Sequence, residues 1–273
     1  MGDAAVTRDE PATVKSAVPS SPKSRHSSRL EWVSLPLLLL LWQGAAMLLA
    51  SRFLPTPIVV AQTITDQIAE GHLIADFGKT LFRAAVGFVA AMLMGTAIGL
   101  ALGRLKIIDR IFAPWVVVGL NLPAIVIAIS CYIWLGLTEF ALILAVIINK
   151  TPLVITTIRE GVRSFLPEYD ELADAFQMPF WRRMRLIYTP QLVPFLLTAA
   201  RTGLSLIWKI VLVFEVLGSD GGVGFRISVY FQFFDMTGIL AYTSAFILVV
   251  VVLEYAFLRP FERRILRWRT EQQ

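Results

Sequence analysis

Four polar residues in one apolar run have the spacing to act together. The run from Pro190 to Leu217 carries Arg201, Ser205, Lys209 and Glu215. On a helix Ser205 and Glu215 fall within about 40° of the direction of Arg201, and Lys209 lies at the edge of that stripe. A charge near the centre of a bilayer costs about 2.5–3.5 kcal/mol on insertion scales, so it faces protein or water. Two chemistries follow for Arg201. It is fixed by carbonyls or polar groups of a neighbouring span, or it borders a solute path and lowers the barrier to an anion. Both stand open at this level.

A second set lies in the polar interval just before that run, Glu168 to Pro194. Pro167 suits the first turn of a helix, where its missing N–H is not needed. Glu168, Asp170 and Glu171 follow, where negative charge complements the helix dipole. Leu172, Ala175, Phe176 and Pro179 give an apolar stripe at three- and four-residue spacing. Pro179 is expected to end this helix. A second short segment then begins at Trp181 and carries Arg182, Arg183 and Arg185. A loop that only joined two spans would not need an apolar face.

Other chemistry is missing. A phosphate-binding loop needs G-x-x-x-x-G-K-[ST]. Gly78-Lys79-Thr80 supplies its end, but the required earlier glycine is Leu73. His26 and His72 lie far apart, so no metal-ligand spacing exists. The single cysteine, Cys131, excludes an intrachain disulfide and sits in an apolar window as a small packing residue. No cofactor and no metal site is expected.

The elements that position these residues cross a membrane. The 273-residue chain is 56% hydrophobic and only 16% charged, against about 25% in soluble domains. Residues 32–51, 84–103 and 111–138 contain no Asp, Glu, Lys or Arg, and such runs are read as spans. The net charge of +5 could suggest nucleic acid, but the basic residues sit in short loops, which topology explains.

Residues 1–29 read as a disordered cytoplasmic tail. Residues 30–74 hold a first apolar run, about Trp32 to Ala50, and a periplasmic linker with a short amphipathic helix. The run reads as an uncleaved span; the alternative is a signal peptide, for which the preceding polar region is too long. The transmembrane domain is placed at 75–262 and a basic cytoplasmic tail at 263–273. Later spans are expected at about 80–103, 111–136 (interrupted by Pro114 and Pro123), 139–158 with Lys150, 190–217 and 239–258. The second span is rich in Gly and Ala for close packing. The Gly218–Gly224 loop is a turn needing positive φ, or a flexible outer gate. Tyr230, Phe231, Phe233 and Phe234 read as an interfacial anchor. The fold class is all-α: a polytopic membrane protein with six transmembrane helices and a cytoplasmic coupling helix.

Orientation follows from the basic residues. With the N-terminus inside, segments 1–29, 104–110, 159–189 and 259–273 hold 18 Lys and Arg, and the opposite segments hold three, Arg52, Lys79 and Arg226. Both termini and the Glu171 loop are thus expected in the cytoplasm.

The interval resembles the signature of permease subunits of type I ABC importers: E-A-A, three residues, Gly, nine residues, I-x-L-P. Here Glu171-Leu172-Ala173 is followed by Gln177 at the glycine position and by Ile187 and Pro190. Leu172 replaces the first Ala. Gln177 replaces the residue that lets the chain turn, so Met178-Pro179 is expected to make the break. The resemblance continues through Ala200–Leu204, Glu215–Gly218 and Glu262-Arg263-Arg264, over roughly residues 75 to 269. The order of features looks most like the branch importing nitrate, sulfonates and taurine.

That resemblance implies a bacterial inner-membrane subunit working as a pair, with an ABC ATPase inside and a solute-binding protein outside. It implies that the chain is not itself an enzyme. The loop Glu171, Leu172, Ala173, Gln177, Ile187 and Pro190 would couple ATP use to span movement. The bare alternative for Glu171 is an exposed carboxylate at a helix N-terminus. The solute would be a nitrate-, sulfonate- or taurine-like anion. A vitamin precursor is the alternative cargo. A stand-alone secondary transporter would show paired half-sequences, and none is visible. A scaffold without transport would not need the Glu171 loop.

Overall fold

The computed structural model describes residues 27–258 apart from positions 50 and 52, with the side chains of 27–35, 257 and 258 left aside. Most of the expected N-terminal tail and the basic segment 259–273 lie outside the described residues. Ser27, Ser28 and Arg29, expected in the tail, instead open helix α1, Ser27–Leu49.

Helix α2, Pro57–Ala69, starts at a Thr56 cap whose hydroxyl accepts from the Val59 N–H, with Pro57 in the first turn. The long α3, His72–Arg104, follows, then α4, Lys106–Asn121, and α5, Ala124–Leu135. Helix α6 is Glu139–Arg163, capped by Thr138. The polar interval forms α7, Pro167–Ala175, and α8, Phe180–Arg183. A π-helical turn, Met184–Tyr188, feeds α9, Thr189–Leu217. Helices α10, Val223–Gln232, and α11, Met236–Leu253, complete the described chain, with a second π-helical turn over Glu254–Leu258.

Four of the described helical runs are long and apolar enough to cross a membrane: His72–Arg104, Glu139–Arg163, Phe180–Leu217 and Met236–Ala256. The expected third span is not one interrupted rod. Helices α4 and α5 are bent by 97° at the break before Ala124, and make a fifth crossing if the bent pair counts as one. The cause is Pro123, which has no N–H to offer the α4 carbonyls and pushes Leu122 out of the helical region, to ψ 125°. Pro114 is accommodated within α4.

The bundle is built on α3 and α6. Gly87, Gly95, Gly99 and Gly103 of α3 face Val146, Val154, Ile158 and Val162 of α6, so closely that a Cβ on any of the four would lie 2.5–2.8 Å from a side-chain carbon. Residue numbers rise together along this seam, so the two helices run parallel. Without a hydrophobic drive between helices in lipid, such close packing is the main source of association. Helix α9 runs antiparallel to both, with Phe195 against Gly161 and Gly203 near Phe88. Ile207, Val211 and Phe214 of α9 enter a buried cluster with Cys131, Leu142 and Val146.

Candidate functional site

The described polar clusters collect at the two ends of this bundle. Arg83 and Arg104 mark those ends on α3. They are separated by 21 residues, about 31 Å of helix, close to the thickness of a hydrocarbon core.

At the Arg104 end, α7 packs through Ala173, which is 1% exposed. The helix stops at Ala175, not at Pro179 as its sequence suggested. The break is made by Gln177, not by Met178-Pro179: its φ is +46°, the left-handed region. The Met178 N–H donates to the Ala173 carbonyl (2.9 Å) and the Gln177 N–H to the Asp174 carbonyl (3.0 Å). This is the glycine-type helix ending, achieved with a glutamine at the glycine position.

None of the four residues of the expected apolar stripe, Leu172, Ala175, Phe176 and Pro179, faces the bundle. They are exposed, together with Tyr169, Phe180 and Trp181, and form an apolar surface. Glu171 is exposed beside it. Ile187 is buried, and exposed Pro190 lies in the first turn of α9.

Asp170 ties this segment to the membrane helices. Its Oδ1 accepts from the Tyr188 hydroxyl (2.6 Å) and from Arg183 Nη2 (2.9 Å), and Arg183 Nη1 also reaches Asp174 (2.9 Å). The hydrogen bonds from Tyr188 and Arg183 hold the Asp170 carboxyl below its usual range. The Arg104 guanidinium lies over the Tyr188 ring, 4.0 Å from its centroid, and the Phe165 ring stacks on the same tyrosine at 5.8 Å. One residue thus connects α7 to the ends of α3 and α6 and the start of α9. Beside it is a cavity of about 320 Å³ bordered by Leu100, Arg104, Phe165, Phe180 and Tyr188. Asp109, gripped by Arg159 (2.5 Å) and Arg163, closes the neighbouring α4–α6 contact.

At the opposite end the centre is Arg83, which has no exposed surface. It donates to Glu139 Oε2 (2.6 Å), Glu215 Oε1 (2.8 Å), Asp220 Oδ1 (2.9 Å) and the Gly221 carbonyl (2.6 Å). Glu215 Oε2 accepts from the Gly224 N–H, and the Thr80 hydroxyl lies 2.9 Å away. Thr80 in turn accepts from the Val223 N–H (2.9 Å). Next to it Asp76 accepts from the Gly222 N–H, Arg226 (3.0 Å) and the Tyr242 hydroxyl (3.1 Å). The 218–224 loop is thereby clamped, not loose. Gly222 has φ +99°, and a Cβ there would lie 2.4 Å from Glu215 Oε1, so this position requires glycine.

Arg201, Ser205 and Lys209 lie on an exposed face of α9. Glu215 does not share it, which corrects the four-residue stripe. Glu215 is fully buried because its carboxylate turns inward to Arg83. Arg83 was missed in the sequence: it stands one residue before an uncharged window, where it reads as the edge of a span. Tyr188 was missed because its position in the signature is variable. Among the described residues no group of three His, Cys, Asp or Glu could hold a metal ion.

A bundle of apolar helices with a polar segment at one end is the architecture of a polytopic membrane protein. The family model described as "Binding-protein-dependent transport system inner membrane component" matches residues 77–267, and the chain belongs to that family. It is a permease subunit of an ABC importer. It is similar to the putative aliphatic sulfonates transport permease protein SsuC of Bacillus subtilis (strain 168), 26% identical over 267 residues and covering 96% of each chain. It is also similar to the riboflavin transport system permease protein RibX of Chloroflexus aurantiacus, 28% identical over 258 residues, 91% of this chain and 95% of that one. Its fold matches the inward-facing MetNI methionine ABC transporter, with a TM-score of 0.61 at 15% identity over 73% of this chain and 98% of that one.

Proposed function

We propose that this permease imports a small oxyanion or sulfonate-like solute as a pair of identical chains, driven by a separate ATPase that docks on the Glu171 loop. The observation that carries the coupling role is the two-sided character of α7. Ala173 is buried and Asp170 ties the helix to Arg183 and Tyr188, while Leu172, Phe176 and the neighbouring Trp181 turn apolar surface outward beside Glu171. Exposed apolar surface of this kind marks a protein interface. A rigid strut with a free apolar face suits the conversion of nucleotide-driven closure into helix movement.

In this reading the chain has six spans, α1 included, with both termini and the Glu171 loop inside. Reporter fusions test it: His72 and Ser219 outside, Asp174 inside. A reversed reading at Asp174 defeats the coupling role. Replacing Glu171 or Ala173 by a bulky residue leaves the protein inserted and uncouples transport. Undiminished ATPase capture and normal uptake in both variants would defeat it too.

The cargo class rests on the branch resemblance and on the similarity to SsuC. Arg201 serves as a path-lining charge on the exposed face of α9, with Ser205 and Lys209. In that role Arg201→Lys keeps uptake and Arg201→Gln loses it at unchanged expression. Similarity to RibX favours a second reading, an uncharged vitamin or its precursor. A competition panel of nitrate, methanesulfonate, taurine and riboflavin separates the two.

A further inference from the structure

Lys150 sits on α6, eleven residues past Glu139, about 16 Å along the helix and so near the middle of the membrane. It is 7% exposed. It belongs to the ridge Val146, Lys150, Val154, Ile158 and Val162, whose other four members each pack on a glycine of α3. The register brings Ala91, itself buried, opposite Lys150. Lys150 is thus the one charged member of an otherwise apolar ridge.

Five ionisable groups of Asp, Glu, Lys or Arg type are buried among the described residues: Asp76, Arg83, Asp109, Lys150 and Glu215. Four have an opposite charge at hand: Asp76 with Arg226 at 3.0 Å, Arg83 with Glu215 at 2.8 Å and Asp109 with Arg159 at 2.5 Å. Lys150 has no carboxylate, hydroxyl or carbonyl partner among the described residues. Its nitrogen is also not among the fully enclosed polar atoms that lack a hydrogen bond, so the ammonium is the open end of a buried stem.

An unpaired charge at this depth is costly, and such residues in membrane helices serve ion or substrate pathways. We infer that Lys150 is the recognition charge of an anion site inside the membrane bundle, whose counter-charge is the cargo, a small oxyanion or sulfonate. This rests on the importer reading above and adds to it a residue on α6, within the subunit and apart from the exposed face of α9. A lysine suits the task as a compact point charge on a flexible stem, able to meet and release an anion without fixed geometry.

The test uses the purified chain in detergent micelles, with sodium nitrate and sodium methanesulfonate as probes and riboflavin as the uncharged control. Either anion raises the thermal midpoint of the wild-type chain, because a ligand of the folded state stabilises it by mass action. Lys150→Met starts from a higher midpoint, and its anion response weakens by about tenfold or more, the scale of a lost charge-assisted hydrogen bond. Lys150→Arg keeps part of the response. An anion response unchanged in Lys150→Met overturns the inference. So does a lowered starting midpoint in Lys150→Met, which would make the amine a packing element, or the absence of any response in the wild type. In cells carrying the whole importer, unchanged anion uptake by Lys150→Met defeats the Lys150 site alone. Failure of the wild type to import any anion of the panel defeats the cargo reading instead.

Discussion

Arg83 Nη1 and Glu215 Oε1 lie 2.8 Å apart with neither side chain exposed, joining α3 to α9 at the end opposite the Glu171 loop. Removing one member of a buried pair leaves the other charge uncompensated, at about 3–5 kcal/mol. Arg83→Met is therefore strongly destabilising. Arg83→Lys fails too, since one ammonium cannot span Glu139, Glu215, Asp220 and the Gly221 carbonyl. The double variant Arg83→Met with Glu215→Met loses less than the sum of the singles. Thermal unfolding in micelles measures this, and strict additivity would show that the pair is not a unit.

The α3–α6 seam responds to a single methyl group. A Cβ at Gly95 would lie 2.5 Å from Val154 Cβ and 3.1 Å from the Thr151 carbonyl oxygen. Gly95→Ala should cost about 1–3 kcal/mol through overpacking. Gly78→Ala, on the same helix with nothing within 4 Å, should gain about 0.5–1 kcal/mol from helix propensity. Opposite signs in the two unfolding midpoints are expected. Equal effects would mean that the seam is not tight.

Gln177 occupies a left-handed position that a Cβ disfavours by about 1–2 kcal/mol. Gln177→Gly should slow amide exchange at Gln177 and Met178, whose N–H groups close the end of α7. Gln177→Val should speed it. Faster exchange in the glycine variant would show that the glutamine side chain itself stabilises the turn.

Tyr188 and Asp170 form the link between α7 and the membrane helices. Tyr188→Phe keeps the ring contacts with Arg104 and Phe165 and removes the hydroxyl. More ATP should then be hydrolysed per solute imported, with ATPase association intact. Asp170→Asn should have a similar effect, and the double variant should add little. A wild-type ratio in Tyr188→Phe would show that the hydroxyl does not transmit movement.

The same link has a pH signature. The Asp170 carboxyl titrates below its usual 3.8 when folded, so its contribution is complete above that value and is lost as pH falls through the lower folded one. Amide exchange in α7, followed downward from pH 6, should stay protected until below about pH 4. Asp170→Asn should remove the transition. Loss of protection already near pH 6 would point to another group.

The sequence by itself determined the class of molecule. Uncharged windows at 32–51, 84–103 and 111–138 demand lipid-facing helices, because no other short element satisfies its own backbone there. The polar interval with Pro167, Glu171, Ile187 and Pro190 was visible as a helix–break–basic helix unit from its charges and its motif. These are local signals, carried by neighbours in the chain.

What only the tertiary structure decided are relationships across long separations. Arg83 and Glu215 are 132 residues apart, and no periodicity relates them; their pairing exists because α3 and α9 pack antiparallel. That packing moved Glu215 from a supposed path to a clamp. It also showed Lys150 to be the buried charge left without a partner among the described residues. The 97° bend between α4 and α5 and the left-handed Gln177 belong to the same class. Proline and a missing glycine flag that something must turn, but the direction of the turn is set by which faces the neighbouring helices leave to be covered.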